Sequence, residues 1–166
     1  MGLNRKLETY VDIEAPAWKF HELIHKNPHH MANIASDEVQ SCELQEGEWG
    51  KVGAILYWNY VHDGKACVAK DVIEAVDEEN NSLTWKVLEG DILNDYNSFR
   101  ITIQCIPKDK GSMIHFTLEY EKLHENVEDA HSFLELCNGV SKAIGAHLVG
   151  KKNNEGSFIE VGAPKA

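Results

Sequence analysis

The chain carries nine histidines and four cysteines, and their spacing decides what chemistry they can support. His21 and His25 stand four residues apart, so a helix places both imidazoles on one face, with His29 and His30 just beyond its end. Paired imidazoles at that spacing can ligate zinc. With no carboxylate-rich partner motif nearby, surface or pocket-rim histidines are expected, and no metal or other cofactor. Cys42, Cys67, Cys105 and Cys137 form no C-x-x-C pair and sit among apolar residues, as reduced thiols of a cytoplasmic protein do. No G-x-S-x-G elbow occurs and no motif sets a histidine beside a cysteine, so hydrolase chemistry is disfavoured. Gly47, Gly50 and Gly53 invite a phosphate-loop reading, but no Lys-Ser or Lys-Thr follows, and the segment runs from strand to strand without a helix N-terminus to hold an anion.

The elements that must position such residues are legible from periodicity. Leu7, Thr9, Val11 and Ile13 alternate with polar neighbours, predicting a strand near 3–13. Pro16 opens a short helix carrying Trp18, Phe20, Leu23 and Ile24, which Asn27-Pro28 ends, and a second short helical segment follows over 29–35. Strand-like runs at 39–45, 53–62, 65–76, 82–89, 98–106 and 112–121 are separated by turn residues, so antiparallel hairpins are expected, seven strands in all. Phe133, Leu136, Cys137, Val140, Ile144 and Leu148 recur at three- and four-residue steps, predicting one long amphipathic helix over 127–149 with Asn126 as its N-cap. Residues 151–166 lose periodicity and read as a mobile C-terminal tail beyond a single domain, 1–150.

Composition bounds the function. The formal charge of −11 opposes phosphate backbones and anionic membrane surfaces, so nucleic acid is not an expected partner. The N-terminus lacks the apolar core of a secretory signal, position 6 is Lys6 where myristoylation wants Ser or Thr, and no apolar run approaches the roughly 18 residues of a membrane span. A chain of 166 residues can bury about 70% of its extended surface, ample for one core. A monomer or weak dimer is expected.

The element order is that of an α+β fold: a strand, two short helices, six consecutive antiparallel strands and a long C-terminal helix that must cover the sheet. A curved seven-stranded sheet offers more apolar surface than one helix can fill, so a hydrophobic cavity should remain between them, roofed by the short helices. The runs Lys26-Asn27-Pro28-His29-His30, Gln45 through Gly53, Trp58 through Lys65, Val87-Leu88-Glu89-Gly90-Asp91 and Leu118 through Leu123 together resemble the major latex protein-like family, a plant branch of the birch-pollen-allergen superfamily. The resemblance covers 1–149 and implies the helix-grip fold around a large ligand cavity, plant cytosolic proteins that bind hydrophobic metabolites, and, in a few relatives, catalysis in alkaloid or terpenoid biosynthesis. The tail from 151 departs from the family pattern.

Alternation assigns the cavity wall. Leu83, Trp85 and Val87, then Phe99, Ile101 and Ile103, then Ile114, Phe116, Leu118 and Tyr120 are placed inward, with Phe20 and Ile24 from the first helix and Phe133, Leu136, Cys137 and Val140 from the last. Core packing is the competing role for each. In strand 53–62 both parities are bulky, and the resemblance tips the inward face toward Tyr57 and Asn59. Lys70, in alternation with Ala66, Val68 and Val72, points inward on this reading, where desolvation would make it an acid or base, unless it snorkels to the rim. Two functions fit: a carrier in which apolar wall gives affinity while tyrosines, Asn59 and His30 orient the ligand, or a cofactor-free cyclase or isomerase using His30, Tyr57, Lys70 and Tyr120 for proton transfer.

Overall fold

The computed structural model describes residues 2–152 and 158–159, of which 151–152 and 158–159 are described as backbone only. The alternating segments form β1 (Asn4–Ile13), β2 (Val39–Glu46), β3 (Ile55–His62), β4 (Lys65–Asp77), β5 (Ser82–Gly90), β6 (Tyr96–Pro107) and β7 (Ser112–Lys122). They make one antiparallel sheet in the order β1-β7-β6-β5-β4-β3-β2. Between β1 and β2 lie α1 (Ala17–Lys26), a 3-10 turn at Pro28–His30 and α2 (Met31–Ile34). The long helix α3 (His131–Val149) covers the sheet, and Lys151–Lys152 (β8) pairs with Phe158–Ile159 (β9). Of the tail expected to be mobile, 151–166, residues 153–157 and 160–166 lie outside the described residues.

One face of the sheet is sealed by alternation. Leu83, Trp85 and Val87 on β5, Phe99, Ile101 and Ile103 on β6, and Ile114, Phe116, Leu118 and Tyr120 on β7 are all buried. The helix packs so closely on β1 that a Cβ at Gly145 would stand 2.8 Å from Ile13 Cγ2. That contact requires glycine at this point of α3.

Two boundaries differ from the sequence expectation. The helix starts at His131, four residues later than the caps suggested, because 124–130 is tied up otherwise. Val127 N–H turns back to the His124 carbonyl at 3.1 Å, the Tyr96 hydroxyl donates to the Glu128 carbonyl at 2.7 Å, and Tyr120 holds Asp129. The turn chemistry after Gly90 contains a short 3-10 helix, Asp91–Asn94, which buries Ile92.

The inward parity of β3 and β4 is the reverse of the expected one. Leu56, Trp58 and Tyr60 are buried on β3, and Ala69, Asp71 and Ile73 on β4. Tyr57, Asn59 and Lys70 therefore lie on the outer face, where Tyr57 and Lys70 are opposite one another across the two strands. The physical reason is a pair of register breaks between β4 and β5. Lys70 faces Glu89 but Asp71 faces Val87, and Ile73 faces Trp85 but Ala75 faces Thr84. An extra residue reverses alternation beyond it, so Val76, even-numbered like Val68 and Val72, turns inward opposite Leu83 while the even positions before the bulge face out.

Candidate functional site

An apolar chamber of about 110 Å³ lies between the sheet and α3. Phe20 and Ile24 of α1 and Met31 of α2 roof it, and Trp58, Tyr60, Ala69, Trp85, Val87, Ile101, Ile103 and Phe116 form the sheet side. Phe133, Leu136, Cys137, Val140, Ser141 and Ile144 descend from α3. The chamber is smaller than the large cavity expected, because two indoles and three phenyl rings occupy its wall. It is the size class of an engineered cavity that takes up benzene, on the order of 150 Å³.

Of the residues assigned to the wall from sequence, Phe20, Ile24, Trp85, Ile101, Phe116, Phe133, Leu136, Cys137 and Val140 line the chamber. Leu83 and Phe99 are buried but stand behind the lining. Phe99 stacks on Tyr120 with centroids 5.5 Å apart and meets Phe133 edge-on at 5.2 Å, so it backs the wall without being part of it.

The polar candidates are not brought together. His30 is exposed on the 3-10 turn, its ring edge-on to His29 at 4.5 Å. Tyr57 lies on the outer face, as does Asn59, whose amide donates to Ser41 Oγ at 2.8 Å. Lys70 lies outside, its ammonium 3.4 Å from Glu89 Oε2, by ordinary alternation with the inward Asp71. Tyr120 points in, but its phenol is consumed by Asp129 and Ala130, and burial pushes its ionisation far above the ordinary tyrosine range.

The chamber instead holds Asp71, which the sequence reading missed. It is 4% exposed, and burial raises its carboxyl to about 8. The Trp58 indole N–H lies near enough to favour the ionised form somewhat, yet neither Trp58 Nε1 nor Asp71 Oδ1 completes a hydrogen bond. Ser141 Oγ and Trp85 Nε1 are likewise buried without partners. Burial also pushes the Cys137 thiol up to about 12, so it packs as a small apolar side chain. The signal that would have found Asp71 was its alternation with Ala69 and Ile73, hidden because the even positions of β4 are just as apolar.

Tyr60, Ile92 and Phe133 also border an outer polar vestibule of about 540 Å³, walled by His62, Lys65, Asp91, Asp95, Tyr96 and Asp129 among others. The Tyr60 and Phe133 rings, 6.4 Å apart and perpendicular, form the partition between the two spaces. His62 Nε2 and Ser132 Oγ, 2.8 Å apart, stitch β3 to the first turn of α3 beside that partition.

The histidine helix carries a correction to the sequence reading. His21-Glu22-Leu23-Ile24-His25 does have the H-E-x-x-H pattern of zinc-binding helices, Glu22 being the carboxylate that the expectation of no metal took to be missing. The structure gives it a packing role. Both imidazoles are buried, and the Nε2 of His25 is engaged with the Gly50 carbonyl at 2.6 Å. Glu22 is exposed, and among the described residues no three His, Cys, Asp or Glu side chains gather to hold an ion.

A seven-stranded antiparallel sheet, two short helices and one long helix enclosing an apolar chamber are the architecture shared with known proteins. Residues 2–151 match the pathogenesis-related protein Bet v 1 family. The chain belongs to the Bet v 1 family, in its major latex protein-like branch. MLP-like protein 43 of Arabidopsis thaliana is 50% identical over 153 residues, covering 91% of this chain and 97% of the relative. The crystal structure of ginseng major latex-like protein 151 from Panax ginseng superposes with a TM-score of 0.86 at 40% identity, over 88% of this chain and 98% of that one. Norcoclaurine synthase from Thalictrum flavum, solved with dopamine and hydroxybenzaldehyde, shares the fold at a TM-score of 0.64 and 18% identity, over 86% and 87% of the two chains. Among the described residues of this Bet v 1 family chain, no helix is long and apolar enough to cross a membrane.

Proposed function

We propose that this protein binds a small apolar molecule in the chamber between the sheet and α3, as a carrier or sequestering protein. The observation that carries this is the chamber itself: a space within the core whose wall is carbon from α1, α2, six strands and α3, interrupted by very few polar atoms. Such a wall gains affinity from apolar area removed from water, at about 25 cal/mol per Å² before the costs of association. The fold supports the same reading, since a relative of this architecture holds single-ring compounds.

The test is calorimetric titration of the chain with toluene, beside a Val140→Phe variant that fills the chamber from α3. Saturable 1:1 uptake by the parent chain and none by the variant is expected. Equal uptake by both would place binding elsewhere and contradict the proposal.

A second reading rests on Asp71. A buried carboxyl held near 8 can give a proton to a bound molecule and take one back from another of its carbons, a net isomerisation or cyclisation without a cofactor. Here Asp71 takes the role first assigned to His30, Tyr57, Lys70 and Tyr120. An Asp71→Asn variant that binds but no longer converts a reactive ligand would support it, and undiminished conversion would exclude it.

A further inference from the structure

Beyond the partition of Tyr60 and Phe133, the outer vestibule of about 540 Å³ has a chemistry of its own. Three stretches of chain frame it. The β3–β4 hairpin turns at Asp63 and Gly64, whose φ values of 52° and 75° suit a two-residue turn. The 3-10 helix Asp91–Asn94 buries Ile92 and leaves Asp91 exposed, while the segment 124–130 brings Glu128 and Asp129 to the start of α3. Val68 N–H donates to Asp91 Oδ2 at 2.7 Å, Leu123 N–H to the Asp95 carbonyl at 3.0 Å, and the Tyr96 hydroxyl to the Glu128 carbonyl at 2.7 Å. A frame tied together in this way binds with little ordering cost.

Its charge is of one sign. Asp63, Asp91, Asp95, Glu128 and Asp129 line the vestibule against a single lysine, Lys65. Asp63 lies 3.7 Å from His62, and Asp129 is engaged by Tyr120 and Lys122. Among the described residues no cation pairs with Asp91, Asp95 or Glu128. A cleft lined by one sign focuses its field and concentrates ions of the other. No three of these side chains converge on a point, so the geometry does not suit a bare metal ion.

The end wall supplies a second, independent observation. Tyr60 is 7% exposed, yet its hydroxyl makes no hydrogen bond among the described residues. It is not sealed from solvent as the chamber's polar atoms are. Cys67, opposite it across β3 and β4, and Asp91 both act on the phenol, and both line the vestibule and not the chamber. The oxygen therefore opens outward, a buried hydroxyl with unused hydrogen-bonding capacity facing the acidic space.

We propose that the vestibule is a second binding site, which takes an organic ammonium with a short apolar arm. The charge lies among Asp91, Asp95 and Glu128 with the Tyr60 hydroxyl as a further partner, and the arm lies against Ile92 and Phe133. An anion is repelled by this rim, and an alcohol gains nothing from its charge. The site is separate from the chamber and does not depend on what the chamber holds.

The experiment is a heteronuclear NMR titration of the full chain at pH 7 with hexylamine, hexanol and hexanoate. The parent, the double variant Asp95→Asn/Glu128→Gln, Tyr60→Phe and the chamber-filling Val140→Phe are compared. Hexylamine should bind at least about fivefold more tightly than hexanol and should shift signals of 62–67, 91–96 and 124–133, with the preference shrinking as salt screens the rim. The double variant, which changes exposed side chains only, should lose most of the preference, Tyr60→Phe part of it, and Val140→Phe none. Hexylamine binding no tighter than hexanol, absent altogether, or indifferent to the double variant would overturn the proposal. Loss of hexylamine binding in a folded Val140→Phe would place the amine in the chamber and overturn it as well. Toluene uptake reads the chamber separately, so either reading can fail while the other stands.

Discussion

The phenol of Tyr120 donates to Asp129 Oδ1 at 2.6 Å and receives the backbone N–H of Ala130 at 3.1 Å, which fastens the start of α3 to β7. Ala130 offers no side-chain cap of its own, so a tyrosine from the sheet does the work of fixing the first turn, with Lys122 Nζ 3.8 Å from Asp129 Oδ2 beside it. Tyr120→Phe leaves a buried N–H and a carboxylate short of a partner, and a loss of about 1–3 kcal/mol is expected in urea unfolding. Affinity for an apolar probe should stay unchanged, because the phenol does not face the chamber. A variant that keeps full stability but loses binding would reverse this assignment.

Asp71 weighs on stability. Unfolded, its carboxyl ionises near the ordinary 3.8, and folded, only near 8, so between those values the native state holds the extra proton. Stability from this residue therefore falls as pH rises across that window. Asp71→Asn should raise the urea midpoint, with a gain that is largest at pH 8 and shrinks toward pH 4. A gain independent of pH would show that Asp71 is ionised in the native protein.

His21 has the opposite slope. Burial, then the neighbouring His25 and Lys26, lower its pKa, against a smaller raising effect of Glu78 and Asp77. The native state keeps the ring neutral while the unfolded chain protonates it near 6.5, so stability present above that pH is lost as the pH falls below it. In an Asp71→Asn background, which removes the opposing slope, the denaturant midpoint at pH 7.5 should exceed that at pH 5.5, and adding His21→Phe should narrow the gap. An unchanged gap would assign the acid sensitivity to other groups.

Gly145 meets Ile13 so closely that a larger side chain must push α3 off β1. Gly145→Leu should cost about 1–3 kcal/mol through overpacking, despite leucine's better helix propensity. Urea unfolding checks it, and a stabilised variant would show that the helix seat is looser than described.

Much of this fold is readable from period alone, since Ile101, Ile103, Ile114, Phe116 and Leu118 sit on strands whose other parity is polar. The same test fails on β3, where Tyr57 and Trp58 are equally bulky, and on β4, where Val68 and Ala69 are equally apolar. Parity there is set by bulges against β5, a property of strand pairing that no single segment records. A one-residue slip exchanges Tyr57, Asn59 and Lys70 for Trp58, Tyr60 and Asp71, and with them the chemistry of the site. Tyr120 fails differently: its inward face was legible, but its partner Asp129 sits in a loop read as the first turn of a helix.

The most direct test of the chamber as a binding site is a crystal structure of the full chain grown with toluene. The ring should lie between Phe116 and Val140, within the wall of the chamber. A ring found only in the outer vestibule or on the surface at saturating toluene would contradict the account.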